Sequence, residues 1–542
     1  MRGLMQAQPL TTSSILEHAE RCHGGQRIVS RMVEGPIHRC SYRELAARSR
    51  RLANALLSLG IAGDDVIGTL AWNGFRHVEA WYAVAGLGHV LHTINPRLAA
   101  GQLAYIINHA EDRAILADLS FVPLLESIAD QLPGLRDVII MTDREHMPAT
   151  SLRSAHCYEE LLEQSPASLH WPALPEDTAS SLCYTSGTTG RPKGVLYSHR
   201  STVVHALSVC TPNVMGLGMQ SVVLPVVPMF HANAWGTIHA APMAGSKLVL
   251  PGPSMDGKSL HELITGEEVD VAAAVPTVWQ MFLQYLQDSN QRVDCLNRVM
   301  VAGSAVPRSM IEIFKRKYGV TVCHAWGMTE LSPVGTINHP GPEERSMAEQ
   351  EQLALRCKQG RFVYGVTARI VDDEQRELPW NGASAGHLQV RGPWIAASYY
   401  KETGDHLLDE DNFMDTGDIG TIDANGYLQI TDRAKDLIKS GGEWISSVEL
   451  EGHAMDHPDV ALAAAIAIPD PKWDQRPILI VKLKQGHAAE AEDIREFVAR
   501  RVARWQAPEW VTVTDEMPLT ATGKISKLAL RHRYSHPVQS VD

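Results

Sequence analysis

One segment of the sequence combines glycines, hydroxyl side chains and a lysine in a pattern suited to phosphate. It reads Tyr184-Thr185-Ser186-Gly187-Thr188-Thr189-Gly190-Arg191-Pro192-Lys193-Gly194 and lies between two apolar segments. Glycines allow the backbone to approach a ligand closely, and successive N–H groups and hydroxyls can surround phosphate oxygens. Lys193 adds a positive charge for the same oxygens. Flexible linkers rarely combine these features, so we expect a phosphate-binding loop here.

Two shorter motifs suggest other chemistries. Gly252-Pro253-Ser254-Met255-Asp256-Gly257-Lys258-Ser259 fits the P-loop pattern, with a strand-like segment before it and a helix-like one after it. An apolar strand ending in Asp is missing at a convincing position, since the best candidate, Ala114–Asp118, lies far upstream. Gly382-Ala383-Ser384-Ala385-Gly386 fits the esterase pattern, but a strand-like segment follows it where a helix is needed. We interpret the second motif as a turn and keep a P-loop enzyme as an alternative.

The elements that must position these residues alternate between helices and strands near the N-terminus. Ser41 and Glu44 form a capping box ahead of a helix that ends at Gly60. Strands are predicted at 65–71, 89–94 and 114–117, with helices at 75–85 and near 102–109. Strands separated by helices favour parallel sheets with crossover connections, so the pattern predicts an α/β fold.

The last hundred or so residues have a different pattern. After the charged segment Asp432–Asp436, a second capping box, formed by Ser446 and Glu449, begins a helix to about His457. Two strands at 460–468 and 477–484 follow. The pattern predicts a small α+β domain from about residue 436, and its charged junction suits a hinge exposed to water.

The composition is that of a globular protein. The 542 residues are 44% hydrophobic and 20% charged, and Lys+Arg 49 against Asp+Glu 62 gives a net charge of −13, which argues against nucleic-acid binding. No apolar run approaches the ~18–20 residues that span a bilayer, and we expect no signal peptide because the first six residues lack its apolar stretch. The eight cysteines are scattered without metal-site spacing, which favours a reducing, cytoplasmic compartment.

Seven further segments follow the phosphate-binding loop in a fixed order. They are Pro228-Met229-Phe230-His231-Ala232-Asn233-Ala234-Trp235, Ala302-Gly303-Ser304-Ala305, His324-Ala325-Trp326-Gly327-Met328-Thr329-Glu330, Gly386 with Arg391-Gly392-Pro393 and Tyr399-Tyr400, Thr416-Gly417-Asp418, Asp432 to Trp444, and Thr522-Gly523-Lys524. Together the eight segments, spanning 184–524, closely resemble the adenylate-forming superfamily of acyl-CoA synthetases, luciferases and peptide-synthetase adenylation domains. The segments at 229–235 and 441–444 look most like bacterial medium- and long-chain fatty acyl-CoA synthetases and 3-methylmercaptopropionate-CoA ligases.

The resemblance implies an ATP- and Mg²⁺-dependent ligase that forms an acyl adenylate and then passes the acyl group to CoA. Glu330 and Thr185 would hold the metal, and Thr329 would bind the α-phosphate. Lys524 would bridge the substrate carboxylate and the phosphate during adenylation. The implied nucleotide site comprises Thr185, Ser186, Gly187, Thr188, Thr189, Lys193, Gly303, His324, Ala325, Trp326, Thr329, Asp418, Arg433, Lys435, Lys439 and Trp444.

Within that site, the resemblance gives particular roles to several residues. Asp418 would accept both ribose hydroxyls with help from Arg433. Trp326 stands where the superfamily usually has Tyr, against adenine, and keeps a flat aromatic face. Lys435 would be the hinge between a large N-terminal domain of layered α/β subdomains (1–434) and a small mobile C-terminal domain (435–542).

The acid and thiol sites are also implied by the resemblance. Trp235 would gate an apolar acyl tunnel that His231 borders, although a core tryptophan and a packing histidine are the plain alternatives. Gly441, Gly442 and Trp444 would border the pantetheine path. We expect a medium-chain fatty acid as substrate, with 3-methylmercaptopropionate, a carrier-protein-loading acyl-AMP ligase and a P-loop enzyme as alternatives. Small molecules, not nucleic acid or membrane, are the expected partners, and the superfamily is often dimeric, so a homodimer stays open.

Overall fold

The computed structural model describes residues 1, 3–185, 191–402, 407–440, 443–520 and 524–534. Its helices are α1 (Thr12–His23), α2 (Tyr42–Ser58), α3 (Phe75–Gly86), α4 (Ala100–Ala110), α5 (Val122–Ile128), α6 (Tyr158–Glu163), α7 (His199–Cys210), α8 (Thr237–Ala244), α9 (Gly257–Gly266), α10 (Pro276–Asp288), α11 (Arg308–Ile313), α12 (Glu349–Cys357), α13 (Ser447–Met455), α14 (Ala491–Ala499) and α15 (Lys527–Tyr534). Among these described helices, none is both long and apolar enough to cross a membrane.

The strands belong to three sheets. They are β1 (Arg27–Arg31), β2 (Ile37–Ser41), β3 (Val66–Leu70), β4 (Val90–Thr93), β5 (Asp112–Ala117), β6 (Asp137–Ile140), β7 (Ala155–Cys157), β8 (Ala179–Tyr184), β9 (Gly194–Ser198), β10 (Val222–Pro225), β11 (Lys247–Leu250), β12 (Val271–Ala274), β13 (Arg298–Val301), β14 (Thr321–Gly327), β15 (Val334–Ile337), β16 (Gly360–Phe362), β17 (Thr367–Val371), β18 (Gly386–Arg391), β19 (Met414–Ile422), β20 (Tyr427–Arg433), β21 (Ile438–Ser440), β22 (Glu443–Ile445), β23 (Val460–Asp470), β24 (Asp474–Leu483) and β25 (Val511–Val513).

Parallel pairing dominates the first sheet, whose strand order is β7-β6-β5-β3-β4-β8-β9. Every residue of β3 and β4 is buried, as is usual for strands covered by helices on both faces. Helix α2 packs on α3 and begins with the predicted capping box, in which the Ser41 hydroxyl accepts from the Glu44 N–H and the Glu44 carboxylate accepts from the Ser41 N–H. The α/β prediction for this region is therefore confirmed.

The largest sheet changes character along its width. Strands β1, β11, β10, β12, β13 and β14 are neighbours in parallel, and the sheet continues through β15, β16, β20, β19, β18 and β17 in antiparallel pairs. Because β14 pairs with β13 on one side and β15 on the other, its C-terminal end joins the two halves. The residues that follow β12, β13 and β14 therefore lie at one edge of the parallel half.

A third sheet is built from the C-terminal residues. Its order is β22-β21-β24-β23, with β25 parallel to β24, and it has its own core around Leu479 and Val481. Helix α13 packs on β23 and is capped by Ser446, whose hydroxyl accepts from the Glu449 N–H; this is one of the two bonds of the predicted capping box. This separate α+β body agrees with the small C-terminal domain that the sequence predicts.

Candidate active site

A cavity of about 1750 Å³ lies where the C-terminal body meets the large sheet. Its floor includes Val275 after β12, Gly303 after β13 and Trp326 at the end of β14, and α15 and the preceding residues contribute its C-terminal wall. Ligands of open α/β sheets commonly bind beyond the carboxyl ends of parallel strands. The cavity is therefore at the edge where such a fold builds a binding site.

The structure brings most of the predicted site residues together around this cavity. Those that line it are Thr185, Lys193, His231, Trp235, Gly303, His324, Ala325, Trp326, Thr329, Glu330, Asp418, Arg433, Lys435 and Lys524. Ser186, Gly187, Thr188, Thr189, Gly441 and Gly442, with the Thr522-Gly523 part of the last motif, lie outside the described residues. Residues from seven separate stretches of sequence thus converge on one site.

Two predicted nucleotide residues are not brought to the cavity. Lys439 on β21 is exposed, and Trp444 opposite it on β22 keeps 53% of its surface accessible. The C-terminal body here presents the segment at Lys524 to the cavity, and the face of β21 and β22 that carries Lys439 and Trp444 is exposed. The prediction that Lys439 acts near the nucleotide does not hold in this arrangement.

Lys524 reaches the floor of the cavity. Its Cε lies 3.3 Å from the position that a Cβ would take at Gly303, where φ is +97°. Burial is the main cause that lowers the pKa of Lys524 to about 8, with Arg433 and Lys435 lowering it and Asp418 and Glu330 raising it. The lysine therefore stands among charges of both signs, next to a backbone that has no side chain to block it.

A buried carboxylate is held between an indole and a guanidinium. The Trp326 Nε1–H donates to Asp418 Oδ2 at 2.7 Å, and Arg433 Nε lies 2.9 Å from Asp418 Oδ1. A Cβ at Gly335 would lie 2.4 Å from Trp326 Cζ3, so the indole packs directly against this glycine. The Trp in place of the usual Tyr thus supplies an N–H that orients the carboxylate as well as an aromatic face.

The acidic side of the cavity comes from the short turn after β14. Glu330 is buried, and its Oε1 accepts a hydrogen bond from the Tyr399 hydroxyl at 2.7 Å. The Tyr197 hydroxyl donates to the Thr329 carbonyl at 2.6 Å and fixes the same turn. Thr185 lies at the base of the phosphate-binding loop, where its N–H donates to the Lys193 carbonyl at 2.9 Å.

These oxygen donors suit a magnesium ion that arrives with a nucleotide. Within the described residues no group of three or more His, Cys, Asp or Glu side chains could hold a metal by itself. Mg²⁺ at nucleotide sites typically uses one or two carboxylates together with substrate phosphates. A single buried carboxylate, Glu330, with the hydroxyl of Thr185 on the same cavity fits that pattern.

The segment before α8 carries the predicted gate in an unusual backbone conformation. Ala232, Asn233, Ala234, Trp235 and Gly236 all have positive φ, from 43° to 77°. Such a left-handed turn costs each residue other than glycine about 1–2 kcal/mol. It directs Trp235 towards the cavity, next to His231, whose pKa falls to about 4 because it is buried and close to Lys524.

Part of the cavity lining is apolar and belongs to one hydrophobic core cluster; we refer to this part as the apolar arm. The residues that line it are Val214, Met215, Val227, Met300, Val334 and Ile337, with Trp235 beside them. Two side chains fix the backbone of its wall at residues 214–216. The Arg298 guanidinium donates to the Gly216 carbonyl at 3.3 Å, and His339 Nε2 contacts the Val214 carbonyl. An aliphatic chain could bury its surface here without leaving a polar group unpaired.

Sequence reasoning did not assign a role to Tyr399. It belongs to the quoted Tyr-Tyr motif, but its contact with Glu330 connects residues 69 positions apart and has no local signal. Gln280 was also missed; its Nε2 donates to the Ala461 carbonyl at 2.8 Å and links α10 to the C-terminal sheet. An aromatic pair in a motif rich in glycine was the sole clue to Tyr399.

The P-loop alternative finds no support in the geometry. A Cβ at Gly252 would lie 2.2 Å from the Arg31 carbonyl oxygen, and one at Gly257 would lie 2.4 Å from Tyr285 Cβ, so the backbone is packed instead of forming an open cradle. Asp256 caps α9 by accepting from the Ser259 N–H. The Gly382–Gly386 segment is a turn that ends at the first residue of β18, as predicted, and the Asn381 side chain accepts from the Ser384 N–H.

Comparison with known proteins agrees with this site. Residues 16–400 match the family described as AMP-binding enzyme, and residues 449–524 match the AMP-binding enzyme C-terminal domain. The chain is 47% identical to a 3-methylmercaptopropionyl-CoA ligase from Ruegeria lacuscaerulensis, over 98% of this chain and 99% of the relative. It is 46% identical to a medium-chain-fatty-acid–CoA ligase from Ectopseudomonas oleovorans, with 98% of each chain covered.

Solved structures share the fold. The anthranilate CoA ligase AuaEII in complex with anthranoyl-AMP superposes with a TM-score of 0.87 at 25% identity, covering 98% of this chain and 99% of that one. ATP-bound MatB from Rhodopseudomonas palustris gives a TM-score of 0.84 at 21% identity, covering 98% and 100%. The fold therefore extends over nearly the whole of both chains.

Proposed function

The chain belongs to the AMP-binding enzyme family and is an ATP-dependent, AMP-forming acyl-CoA ligase, and we propose that the acid it activates is a medium-chain fatty acid. The apolar arm of the cavity carries this proposal. Met215, Met300 and Ile337 offer flexible or branched aliphatic surface that suits an alkyl chain. 3-Methylmercaptopropionate is the second candidate, because the relative with 47% identity is named for it.

In the first half-reaction, an oxygen of the acid carboxylate attacks the α-phosphorus of ATP and pyrophosphate leaves. Lys524 places its ammonium between the two anionic reactants and lowers their repulsion. Asp418, oriented by Trp326, accepts the ribose hydroxyls, and the Trp326 ring stacks on adenine. Positioning and charge neutralisation supply most of the catalysis in such in-line transfers.

Glu330 and Thr185 would hold Mg²⁺, which when bound neutralises charge on the nucleotide phosphates. Lys193 and Thr329 line the same cavity and would face these phosphates from the loop and the turn. Glu330 and Lys193 both contact Tyr399, at its hydroxyl and at its ring respectively. The chain therefore prepares the phosphate end of the site before a ligand arrives.

In the second half-reaction, the CoA thiolate attacks the acyl carbonyl and AMP leaves with the bonding electrons. A rotation about Lys435 would withdraw Lys524 and bring the hairpin of β21 and β22, with Trp444, to the cavity as the pantetheine wall. Lys435 follows β20 in a tight turn in which the Asp436 N–H donates to the Arg433 carbonyl at 2.8 Å. Residues 1–434 and 435–542 are the two bodies of this proposal.

A panel of acids tests the substrate class. Pyrophosphate release would be measured with ATP and Mg²⁺ for acids from acetate to palmitate, 3-methylmercaptopropionate and benzoate, each with and without CoA. Each methylene that enters the apolar arm should raise kcat/KM about fourfold, until the arm is full. We expect a maximum at medium chain length and multiple turnover when CoA is present.

A control variant and the alternative outcomes of the panel test this proposal. Lys258→Ala, in the motif that resembles a P-loop, should keep wild-type turnover because Lys258 does not line the cavity. Preference for benzoate or acetate would overturn the medium-chain proposal, and a maximum at 3-methylmercaptopropionate would select the second candidate. Turnover with a carrier protein but without free CoA would favour an acyl-AMP ligase.

Two further parts of the proposal concern the whole protein. A reducing compartment such as the cytoplasm is supported by the cysteines, all eight of which are unpaired. A homodimer stays a prediction, which light scattering would check.

A further inference from the structure

Tyr399 contacts both groups that are expected to share the phosphate end of the site. Its hydroxyl donates to Glu330 Oε1 at 2.7 Å, and Lys193 Nζ lies 4.8 Å from the centre of its ring. A hydroxyl bond to a carboxylate and an ammonium over an aromatic face are both favourable. One side chain thus connects the proposed metal ligand with the lysine of the phosphate-binding loop.

The hydroxyl contact controls how the carboxylate is presented. A carboxylate has about four acceptor positions on two oxygens, so a bond to Oε1 orients Glu330 without exhausting its capacity for a cation. The Ala396 N–H also donates to the Glu330 carbonyl at 2.8 Å. The segment that carries Tyr399 therefore holds Glu330 at its backbone and at its side chain.

This segment is itself fixed to both sides of the site. The Tyr400 N–H donates at 2.8 Å to the carbonyl of Gly194, the last residue of the phosphate-binding segment. Lys401 pairs with Glu111 at 2.7 Å and donates to the His109 carbonyl at 3.1 Å. These anchors do not use the Tyr399 hydroxyl, so its removal should leave the fold intact.

We propose that Tyr399 is a positioning residue for the metal–nucleotide complex, acting through Glu330 by its hydroxyl and through Lys193 by its ring. The proposal rests on the proposed function, in which Glu330 holds Mg²⁺ and Lys193 faces the phosphates. Tyr399 does not touch the reacting atoms. Its effect is to fix in advance the two groups that would otherwise have to be ordered when Mg²⁺ and ATP bind.

Tyr399→Phe separates the hydroxyl from the ring. By isothermal titration calorimetry of ATP at varied Mg²⁺, we expect the apparent Kd of Mg²⁺ for the enzyme–ATP complex to rise about tenfold, because a hydrogen bond to a charged group is lost. ATP affinity without Mg²⁺ should stay within about twofold, since the ring beneath Lys193 remains. Tyr399→Leu should weaken ATP binding under both conditions.

Kinetics provide a second readout. Excess Mg²⁺ should restore adenylation by Tyr399→Phe, and thioester formation from supplied acyl-AMP should be unchanged. Tyr400→Phe is the matched control and should behave as wild type in both assays. Wild-type Mg²⁺ dependence in Tyr399→Phe, or an equal loss of ATP affinity with and without Mg²⁺, would overturn the proposal.

Glu330→Gln distinguishes a failure of the inference on Tyr399 from a failure of the proposed metal role of Glu330, on which the inference rests. If Glu330→Gln keeps wild-type Mg²⁺ affinity, the proposed metal role of Glu330 is wrong. If Glu330→Gln weakens Mg²⁺ binding and Tyr399→Phe does not, only the inference on Tyr399 fails. In the Glu330→Gln background, adding Tyr399→Phe should change Mg²⁺ affinity by less than about twofold, because coupled residues are not additive.

Discussion

Lys524 brings a positive charge into a cavity that Arg433 and Lys435 also line. Burial and these neighbours lower the pKa of Lys524 to about 8, against an ordinary value of 10.5. The pKa of Lys435 is also lowered, mainly by burial. Asp418 and Glu330 offset part of the repulsion among these cations, and the anionic phosphates of ATP and the carboxylate of the acid would offset more of it.

We expect adenylation to depend on pH through Lys524. Because the protonated lysine is the active form, kcat/KM for pyrophosphate release should fall as pH rises through about 8. Measurement from pH 6.5 to 9.5 at low ATP would report the free enzyme. Lys524→Arg should be slower, but its kcat/KM should no longer fall as pH rises through about 8, because the pKa of arginine stays above about 12.

Unfolding of the protein at high pH would not explain this fall in kcat/KM. The unfolded chain binds more protons at Lys524 than the folded one between pH 8 and 10.5, so this group alone makes the folded state more stable as pH rises there. Thermal unfolding recorded over the same range is the control. If kcat/KM of Lys524→Arg falls with pH as in the wild type, another group is responsible for the titration.

At the scale of elements, local rules predict some parts of the fold and miss others. The caps at Ser41 and Ser446 were predictable because their partners lie three residues away, and both are observed. The left-handed turn at Ala232–Gly236 was not, because Ala and Trp disfavour positive φ, and one Asn and one Gly do not predict five successive positive values. Packing of the surrounding core, not local preference, must hold this conformation.

Gly236 is where this turn depends most clearly on residue type. Its φ is +77°, and a Cβ would lie 2.7 Å from the His205 ring. We expect Gly236→Ala to destabilise the protein by at least the ~1–2 kcal/mol of a left-handed residue. Because the turn carries Trp235, KM for the acid should rise several-fold while KM for ATP changes little.

Gly266→Ala is the matched control for this variant. Gly266 ends α9, and a Cβ there would meet no atom within 4 Å. Alanine in a helix is favoured over glycine by roughly 0.5–1 kcal/mol, so this variant should be neutral or more stable. Urea unfolding and acid kinetics on both variants would check the prediction, and equal behaviour would remove the special role of the turn.

At the scale of the molecule, the sequence indicated which residues share a site. It did not indicate which of them the C-terminal body places in the cavity in a given conformation. Ordered motifs identified Glu330, Asp418 and Lys524, and the cavity contains all three. They could not indicate that Lys524 would be inside while Trp444 stays exposed, because that depends on how the C-terminal body is oriented. The orientation rests on contacts between distant segments, such as Gln280 with the Ala461 carbonyl.

This arrangement leads to a reciprocal prediction for the two half-reactions. Lys524→Ala should slow adenylation by at least about 100-fold, since a preorganised charge is lost, but should leave thioester formation from supplied acyl-AMP within about threefold. Trp444→Ala should do the reverse, because Trp444 would contact the pantetheine only after the C-terminal body has turned. Its exposure of 53% means that truncation should not destabilise the fold. Rapid-quench measurement of each step would distinguish two cases. If one fixed arrangement serves both steps, each variant should slow both adenylation and thioester formation. If two arrangements alternate, Lys524→Ala should slow only adenylation and Trp444→Ala only thioester formation.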